Sequence, residues 1–323
     1  MEIIYLAWGN ISERTKILSK LLNMPVFVFR DRPPYIKAFM KTLLLFLKMN
    51  PNIVILQTTQ GPAVLTVTLL KYIKRFKLVF DIHPNFLVYT NIKGVLLNSL
   101  FKNLIKYGDV IVLHDYTILE IVPIGKRPRY VVLIDPPPLF KEKIKPKKIG
   151  KEETVKKSEF TLVMSSGTIS VENIRRIVKA FANCDIDVTL YITGPHRKRK
   201  IGNVVFTGFL SSSEYIKLLL GADLIVSWIN RQFTVTRSSL EAAYLKKPLI
   251  VPDTNAFRKM FKDAAIYLSD INEICSVLKK LNLGDLFSLE TKMSERSRKL
   301  RRIFNKQLDK FKRILGGLNG KGS

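Results

Sequence analysis

Acidic residues are scarce in this chain: 26 Asp and Glu stand against 54 Lys and Arg, a formal charge of +28 over 323 residues. Such an excess of one sign predicts attraction to a polyanion, whether nucleic acid, a phosphorylated substrate or an anionic membrane surface. A lysine-rich solvated surface of the kind found in heat-tolerant chains gives the same balance. Cysteine and histidine are scarcer still. Cys184 and Cys275 lie far apart with no CxxC, and His83, His114 and His196 form no HxxxH, so the spacing offers no structural zinc site. Cysteine usage of this kind fits a reducing compartment, hence the cytoplasm. Long hydrophobic runs are also missing. No apolar stretch reaches the roughly 18 residues of a spanning helix. The run Ile3–Trp8, lacking a basic flank, reads as a first strand rather than a signal peptide.

What the chain does contain is 47% hydrophobic and 10% aromatic residues, which excludes disorder, in a length that suits two domains. Apolar runs at Ile3–Trp8, Val26–Phe29, Ile53–Gln57, Leu78–Ile82, Val110–Leu113 and Tyr130–Leu133 alternate with helical patterns such as Glu13–Leu22 and Ala63–Tyr72. That alternation predicts a doubly wound α/β domain over 1–140. The segment 141–158, KEKIKPKKIGKEETVKKS, is charged and poor in large apolar side chains, so it reads as a basic linker. A second alternation follows over 159–288. A basic helix and tail then occupy 289–323. The expected architecture is two Rossmann-like domains facing across a cleft.

In parallel sheets ligands bind beyond the carboxyl ends of the strands, so the polar strand tips are the first candidates. Thr193–Gly194, Thr207–Gly208 and Thr234–Glu241 are such tips. Ser238-x-x-Glu241 before an apolar helical run has the form of a capping box, which predicts a helix start near Ser238. The N–H groups there, with Thr234, Thr236, Arg237 and Ser239 nearby, suit a phosphate. Glu241 either closes the box or accepts hydrogen bonds from ribose hydroxyls. Small residues at Ser165–Ser170 allow close backbone approach to a phosphate or simply turn the chain. The basic run Arg197–Lys200 is a solvated loop or a ligand contact. In the first half, His83 ends a buried-looking strand and is either a turn histidine, a donor to a sugar hydroxyl or phosphate, or a general base. Asp115 and Trp8-Gly9-Asn10 occupy similar positions. Finally, in the helical patterns Pro34–Lys48 and Gly94–Tyr107 lysines stand beside wide apolar faces: both either pack on the sheet or lie on a membrane surface.

In order and spacing, ITGP, then NVVFTGFLSSSEYIKLLLGADLIVSW, then TRSSLEAAYLKKPLIVPDTNAFRKMF, all within residues 160–270, resemble the nucleotide-sugar-dependent glycosyltransferases of the group 1 (family 4) type. The ending TRSSLEAAYLKKPLIVPDT is most similar to a prokaryotic subgroup acting on polysaccharide or lipid-linked glycans. The resemblance implies the two-domain GT-B fold and sugar transfer from a nucleoside-diphosphate sugar to a glycan or lipid-linked acceptor at the cytoplasmic membrane face. No metal or other cofactor is implied. On residues, it implies a ribose contact for Glu241 and sugar-diphosphate contacts for Thr234–Ser239. It further implies a phosphate loop at Gly167 and Thr168, a base-binding rim at Thr193, Gly194, Phe209 and Leu210, and a histidine near the transferred sugar at His83. The sequence departs from the family at two points. Phe233 stands where the first glutamate of the E-x7-E motif belongs, and SSGTISVEN carries no basic pair. Charge on the diphosphate then falls to Arg231, Arg237 or the run Arg197–Lys200, with Arg237 the expected catalytic cation beside His83. The partners expected are the donor, the acceptor and an anionic membrane surface, not nucleic acid, whose recognition motifs are missing. The alternative is a non-catalytic binding subunit or polyanion-binding protein of the same fold.

Overall fold

The computed structural model describes residues 2–87, 95, 98–122, 129–138, 159–167, 169–229 and 231–319. The linker expected over 141–158 lies outside them. The chain divides into two compact units, Met1–Pro136 with Ile303–Ser323, and Pro137–Arg302. The basic segment expected to begin at 289 is part of one long helix, Leu283–Asn319 (α9), whose last turns cluster with the first unit.

In the first unit, β1 (Ile3–Trp8), β2 (Val26–Phe29), β3 (Ile53–Thr58), β4 (Lys77–Ile82), β5 (Val110–Leu113) and β6 (Arg129–Val132) form one parallel sheet, in the order β2-β1-β3-β4-β5-β6. The helices are α1 (Glu13–Leu21), α2 (Ile36–Lys48) and α3 (Gly61–Lys74). Strand order runs one way from β1 to β2 and the other way from β2 through β6. Right-handed crossovers therefore put α1 on one face and α2 and α3 on the other. The side-chain alternation of the strands agrees. Ile4, Leu6, Trp8, Leu56, Leu78 and Phe80 form one core with Ala38, Phe46 and Val67 of α2 and α3. Tyr5, Gln57 and Asp81 face α1 instead, where Gln57 accepts from Thr15.

The helix α2 buries Ala38, Thr42 and Phe46, and Trp8 Nε1 donates to Thr42 Oγ1 at 3.0 Å. Its large apolar residues Ile36, Phe39, Met40, Leu44 and Leu47 are exposed. The second lysine-bearing helix, expected at Gly94–Tyr107, is a 3-10 turn over Lys102–Tyr107, with 94, 96 and 97 outside the described residues.

The second unit holds β7 (Glu159–Ser165), β8 (Asp187–Thr193), β9 (Arg199–Ile201), β10 (Val204–Gly208), β11 (Leu224–Val226), β12 (Leu249–Pro252) and β13 (Ile266–Leu268), in the order β13-β12-β11-β7-β8-β10-β9. All neighbours are parallel except β9, which pairs antiparallel with β10. The basic run Arg197–Lys200 is thus split: Arg197 and Lys198 lie in an exposed loop, as expected of a solvated run, whereas Arg199 and Lys200 belong to a strand. Its second half opens an exposed edge strand, where charge discourages pairing with another chain. The Arg199 guanidinium lies 4.8 Å from the Phe206 ring.

Helices α4 (Val171–Ala182), α5 (Ser212–Gly221), α6 (Arg237–Leu245), α7 (Asn255–Phe261) and α8 (Ile274–Lys280) complete this unit. The first four begin at Ser170, Ser211, Thr236 and Thr254, each of whose side chains accepts from a backbone N–H of the first turn. Cys184 and Cys275, 91 residues apart, form a disulfide with Cα atoms 5.3 Å apart. Chain folding joins what sequence distance separated, and the cysteines give no support to a reducing compartment.

Candidate functional site

The strand order of the second unit reverses between β7 and β11, since β7 leads to β8 on one side and β10 leads to β11 on the other. That reversal defines a crevice at the carboxyl ends of these strands, where α/β sheets bind ligands. The tips that reach it are Ser165–Gly167 after β7, Thr193–Gly194 after β8, and Ser227 after β11. Gly194 has φ +130, and a Cβ there would sit 2.7 Å from Ser166 Oγ, so this tip tolerates only glycine. A Cβ on Gly167 would meet open space. Thr168 lies outside the described residues. Thr193 is buried, and its carbonyl accepts from Ser166 N and Ser166 Oγ, which ties the β7 and β8 tips together.

Across the crevice α6 starts at Thr236, not at Ser238. Thr236 Oγ1 accepts from Ser239 N at 3.2 Å, and Ser238 falls inside the first turn. The expected capping box does not form because Glu241 is drawn elsewhere. Its carboxylate accepts from Arg237 Nε at 3.0 Å and from Tyr215 Oη of α5 at 3.0 Å. Burial, followed by the Glu241 carboxylate, pushes the Tyr215 hydroxyl well above its ordinary pKa, so it stays a donor. Ser227, Thr236 and Ser238 bring three hydroxyls together, with Ser238 Oγ 3.3 Å from Ser227 and 3.2 Å from Thr236. Ser239, by contrast, turns its hydroxyl to the Thr236 carbonyl at 2.7 Å and is fully buried. Thr234 Oγ1 is buried with no hydrogen-bond partner among the described residues. Burial lowers the Arg231 pKa. Phe209, just past β10, is 79% exposed, with Leu210 half-buried beside it.

The first unit gathers a second group of polar side chains at its own strand ends. Arg14 of α1 donates from Nε to Asp81 at 3.1 Å and from Nη1 to Asp135 at 3.0 Å, all three nearly inaccessible. Tyr5 Oη also donates to Asp81. Burial alone would raise the Asp81 pKa, but Arg14, helped by His114, His83 and the Tyr5 hydrogen bond, holds it below the usual range. The rings of His83 and His114 meet edge to face at 4.9 Å. Burial lowers both pKa values; Arg14 adds to the effect on His114, which falls to about 3, while Asp81 opposes it at His83. Both imidazoles are therefore neutral at pH 7. The Nε2 atoms of both are buried without a hydrogen-bond partner among the described residues.

Ligand-capable atoms of Asp81, His83 and His114 lie within 4.8 Å of one another, a grouping that sequence spacing did not reveal. Asp81 already accepts from Arg14 and Tyr5, which leaves the trio poorly suited to hold a cation. Asp115 is a cap: its Oδ1 accepts from Thr117 N at 2.7 Å. Arg14, Tyr5, His114 and Asp135 were missed as site residues. Asp135 stands 121 residues from its Arg14 partner, and only the carboxyl-end position after an apolar run pointed towards such a cluster.

No family model and no curated protein matches the sequence. The fold itself is that of the GT-B glycosyltransferases, as comparison with solved structures shows. HepE of Anabaena, solved with UDP-glucose, aligns with a TM-score of 0.71 at 14% identity, covering 98% of this chain and 100% of that one. A glycosyltransferase of Rickettsia africae gives 0.68 at 15% identity over 100% and 99% of the two chains. Sucrose-phosphate synthase of Thermosynechococcus elongatus gives 0.69 at 11% identity over 98% and 100%.

Proposed function

We propose that the protein is a glycosyltransferase that moves a sugar from a nucleoside-diphosphate donor to a hydroxyl of a glycan or lipid-linked acceptor at a membrane face. The observation that carries this reading is the crevice of the second unit. There the start of α6 and the hydroxyls of Ser227, Thr236 and Ser238 gather at the topological switch point of a GT-B-type sheet. The segment leading into α6 carries the buried Thr234 hydroxyl, which has no hydrogen-bond partner among the described residues. Helix N-termini and hydroxyls hold phosphate oxygens. A carboxylate beside them suits ribose hydroxyls, which would take the place of Arg237 and Tyr215 on Glu241. Phe209, Leu210, Thr193 and Gly194 fit the base end, since an exposed aromatic can stack on a base.

In the reaction the bond from the sugar's anomeric carbon to the diphosphate breaks and a bond to the acceptor oxygen forms, with the acceptor's hydroxyl proton released. Arg237, freed from Glu241 by the donor, and Arg231 would offset charge growing on the diphosphate, with the α6 N-terminus adding its dipole. We assign this stabilisation to the protein rather than to a metal. Among the described residues, the ligand-capable trio lies in the other unit. His83 is assigned to a substrate hydroxyl, which its neutral ring can engage.

The test is ligand binding and turnover with purified protein and a panel of nucleotide sugars. Nucleotide release and saturable donor binding are expected. Glu241→Ala should weaken donor affinity at least tenfold, whereas unchanged affinity would leave Glu241 a purely structural residue. The second reading, a binding protein without turnover, is favoured by one observation: Phe233 stands where the family carries a sugar-contacting glutamate. Donor binding without nucleotide release or transfer would select it.

A further inference from the structure

From Arg32 to Gly108 the chain carries eleven Lys or Arg and one acidic residue, the buried Asp81. The flanking Asp31 and Asp109 pair with Lys41 and Lys71, which leaves most of the cations without an acidic neighbour in this stretch. The helices of this stretch form one layer of the first unit, because α3 packs on α2 and on the Lys102–Tyr107 turn, while its strands β3 and β4 lie in the sheet. The apolar residues of that layer are on its outside. On α2 the exposed Ile36, Phe39, Met40, Leu44 and Leu47 recur at helical spacing, with Leu47 71% exposed. Lys37, Lys41 and Lys48 fall within about 40° of one another along one border of this stripe. On α3, Leu69, Tyr72 and Ile73 are exposed, and Leu100, before the 3-10 turn, is 79% exposed.

A helix that turns one apolar stripe to the core and a second one outward has more apolar surface than its own fold covers. The outward stripe is accompanied by cations and, within this layer, by no exposed acid, which is the charge complement of an anionic bilayer rather than of an ordinary protein surface.

Next to this face lies a cleft of about 490 Å³ lined by Lys71, Tyr72, Lys106, Tyr107 and Arg129, with Ile314 of α9. Tyr72 and Tyr107 meet edge to face at 6.3 Å. Lys71 is held by the Tyr107 carbonyl at 2.6 Å and by Asp109 at 2.9 Å, whereas Lys106 and Arg129 are exposed and have no ion-pair partner among the described residues. Lys106 Nζ lies 5.2 Å from the Tyr107 ring centre and Arg129 lines the same cleft, while the Asp109 carboxylate there is paired with Lys71. Two cations without an acidic partner among the described residues, beside exposed apolar side chains, match an anionic headgroup at the edge of a bilayer.

We propose that the layer of α2, α3 and the Lys102–Tyr107 turn docks on an anionic membrane, with the outward apolar stripe inserted and a lipid phosphate headgroup held in the Lys106–Arg129 cleft. The inference deepens the membrane-face reading above by naming the surface and the lipid chemistry, and rests on it only for the choice of acceptor.

Flotation of the purified protein with vesicles of phosphatidylglycerol and phosphatidylcholine, against phosphatidylcholine alone, tests it. Binding to the anionic vesicles is expected, and part of it should survive about 1 M salt, where charge attraction is screened. Leu44→Glu with Leu47→Glu should weaken it at least tenfold. Lys106→Gln with Arg129→Gln should weaken it roughly fivefold for each cation and about twenty-fivefold together. The same charge change at Lys217→Gln with Lys246→Gln in the second unit should alter it less than twofold.

Absence of anionic binding by the natural protein, or equal binding by the α2 and control variants, would overturn the proposal. So would a dimer that the α2 variant dissolves, in a protein that ignores vesicles. Thermal shift with nucleotide sugars on the same preparations reports folding and donor binding separately. Should the glutamate pair unfold the chain, Leu44→Gln with Leu47→Gln repeats the measurement. Vesicle binding without any nucleotide-sugar response would end the transferase reading and leave the docking surface standing.

Discussion

Two glycines at the strand tips of the second unit differ in what holds them. Gly194 adopts a left-handed φ and would place a Cβ 2.7 Å from Ser166 Oγ, so Gly194→Ala should destabilise the fold and lower the melting temperature. Gly167 meets nothing within 4 Å, so Gly167→Ala should leave the melting temperature unchanged. If a diphosphate approaches that backbone, the added methyl lowers donor affinity all the same. A donor titration of both variants separates a packing glycine from a ligand glycine, and equal affinity for Gly167→Ala and the natural protein would place the phosphates elsewhere. In the first unit His83 and His114 are buried with lowered pKa values. The unfolded chain takes up protons near pH 6.5 where the folded one does not, so it binds more protons below that pH. Stability is then full above about pH 6.5 and is lost as pH falls from there towards the folded His114 value of about 3. Melting temperatures between pH 7 and pH 4 should decline, and His114→Asn should flatten the decline. An identical slope in the variant would mean that His114 is solvated and titrates normally.

At the scale of elements, the α6 N-terminus shows what sequence can and cannot reveal. Apolar, β-branched runs bounded by small polar residues located the strands of the first sheet to within a residue or so, because a strand buried on both faces has little choice of composition. The helix start was misplaced by two residues. Ser238-x-x-Glu241 has the spacing of a capping box, but Arg237 and Tyr215 compete for Glu241 and Thr236 takes the cap. Such competition between α5 and α6 is tertiary and leaves no local trace. The same holds for β9, hidden in a basic run whose pattern lacks any apolar alternation, and for the Arg14–Asp81–Asp135 cluster, assembled from three distant segments. Where a strand tip faces a ligand crevice, position along the strand was legible. Which polar side chains meet there was not. Thr236 therefore carries two separable duties. Thr236→Ala should cost about 1 kcal/mol of stability as a lost cap, and Thr236→Ser, which keeps the hydroxyl, should recover both the stability and any donor affinity lost with it. Loss of affinity in Thr236→Ala without recovery in Thr236→Ser would assign the effect to the methyl group instead.

At the scale of the molecule, each unit has its own core, built on its own sheet. The second differs in being closed by a covalent link. Cys184 follows α4 and Cys275 lies in α8, so the bond encloses β8 through β13 within a loop of 91 residues. A crosslink of that span removes conformations from the unfolded chain. The chain-entropy model gives about 4–5 kcal/mol for such a loop, and measured disulfides deliver about 2–4. That contribution is comparable with the whole stability of many domains, so the second unit should be the one that responds to reductant. Thiol titration of the denatured, unreduced protein should find no free thiol, and reduction should lower the melting temperature while the first unit's histidine-dependent pH response stays the same. Cys184→Ser with Cys275→Ser should melt like the reduced protein and no longer respond to reductant. Two thiols titrating without reductant would show that the pair is in contact but unbonded. In that case the core packing around Phe181 and Leu278, both fully buried beside the cysteines, holds α4 and α8 together by itself.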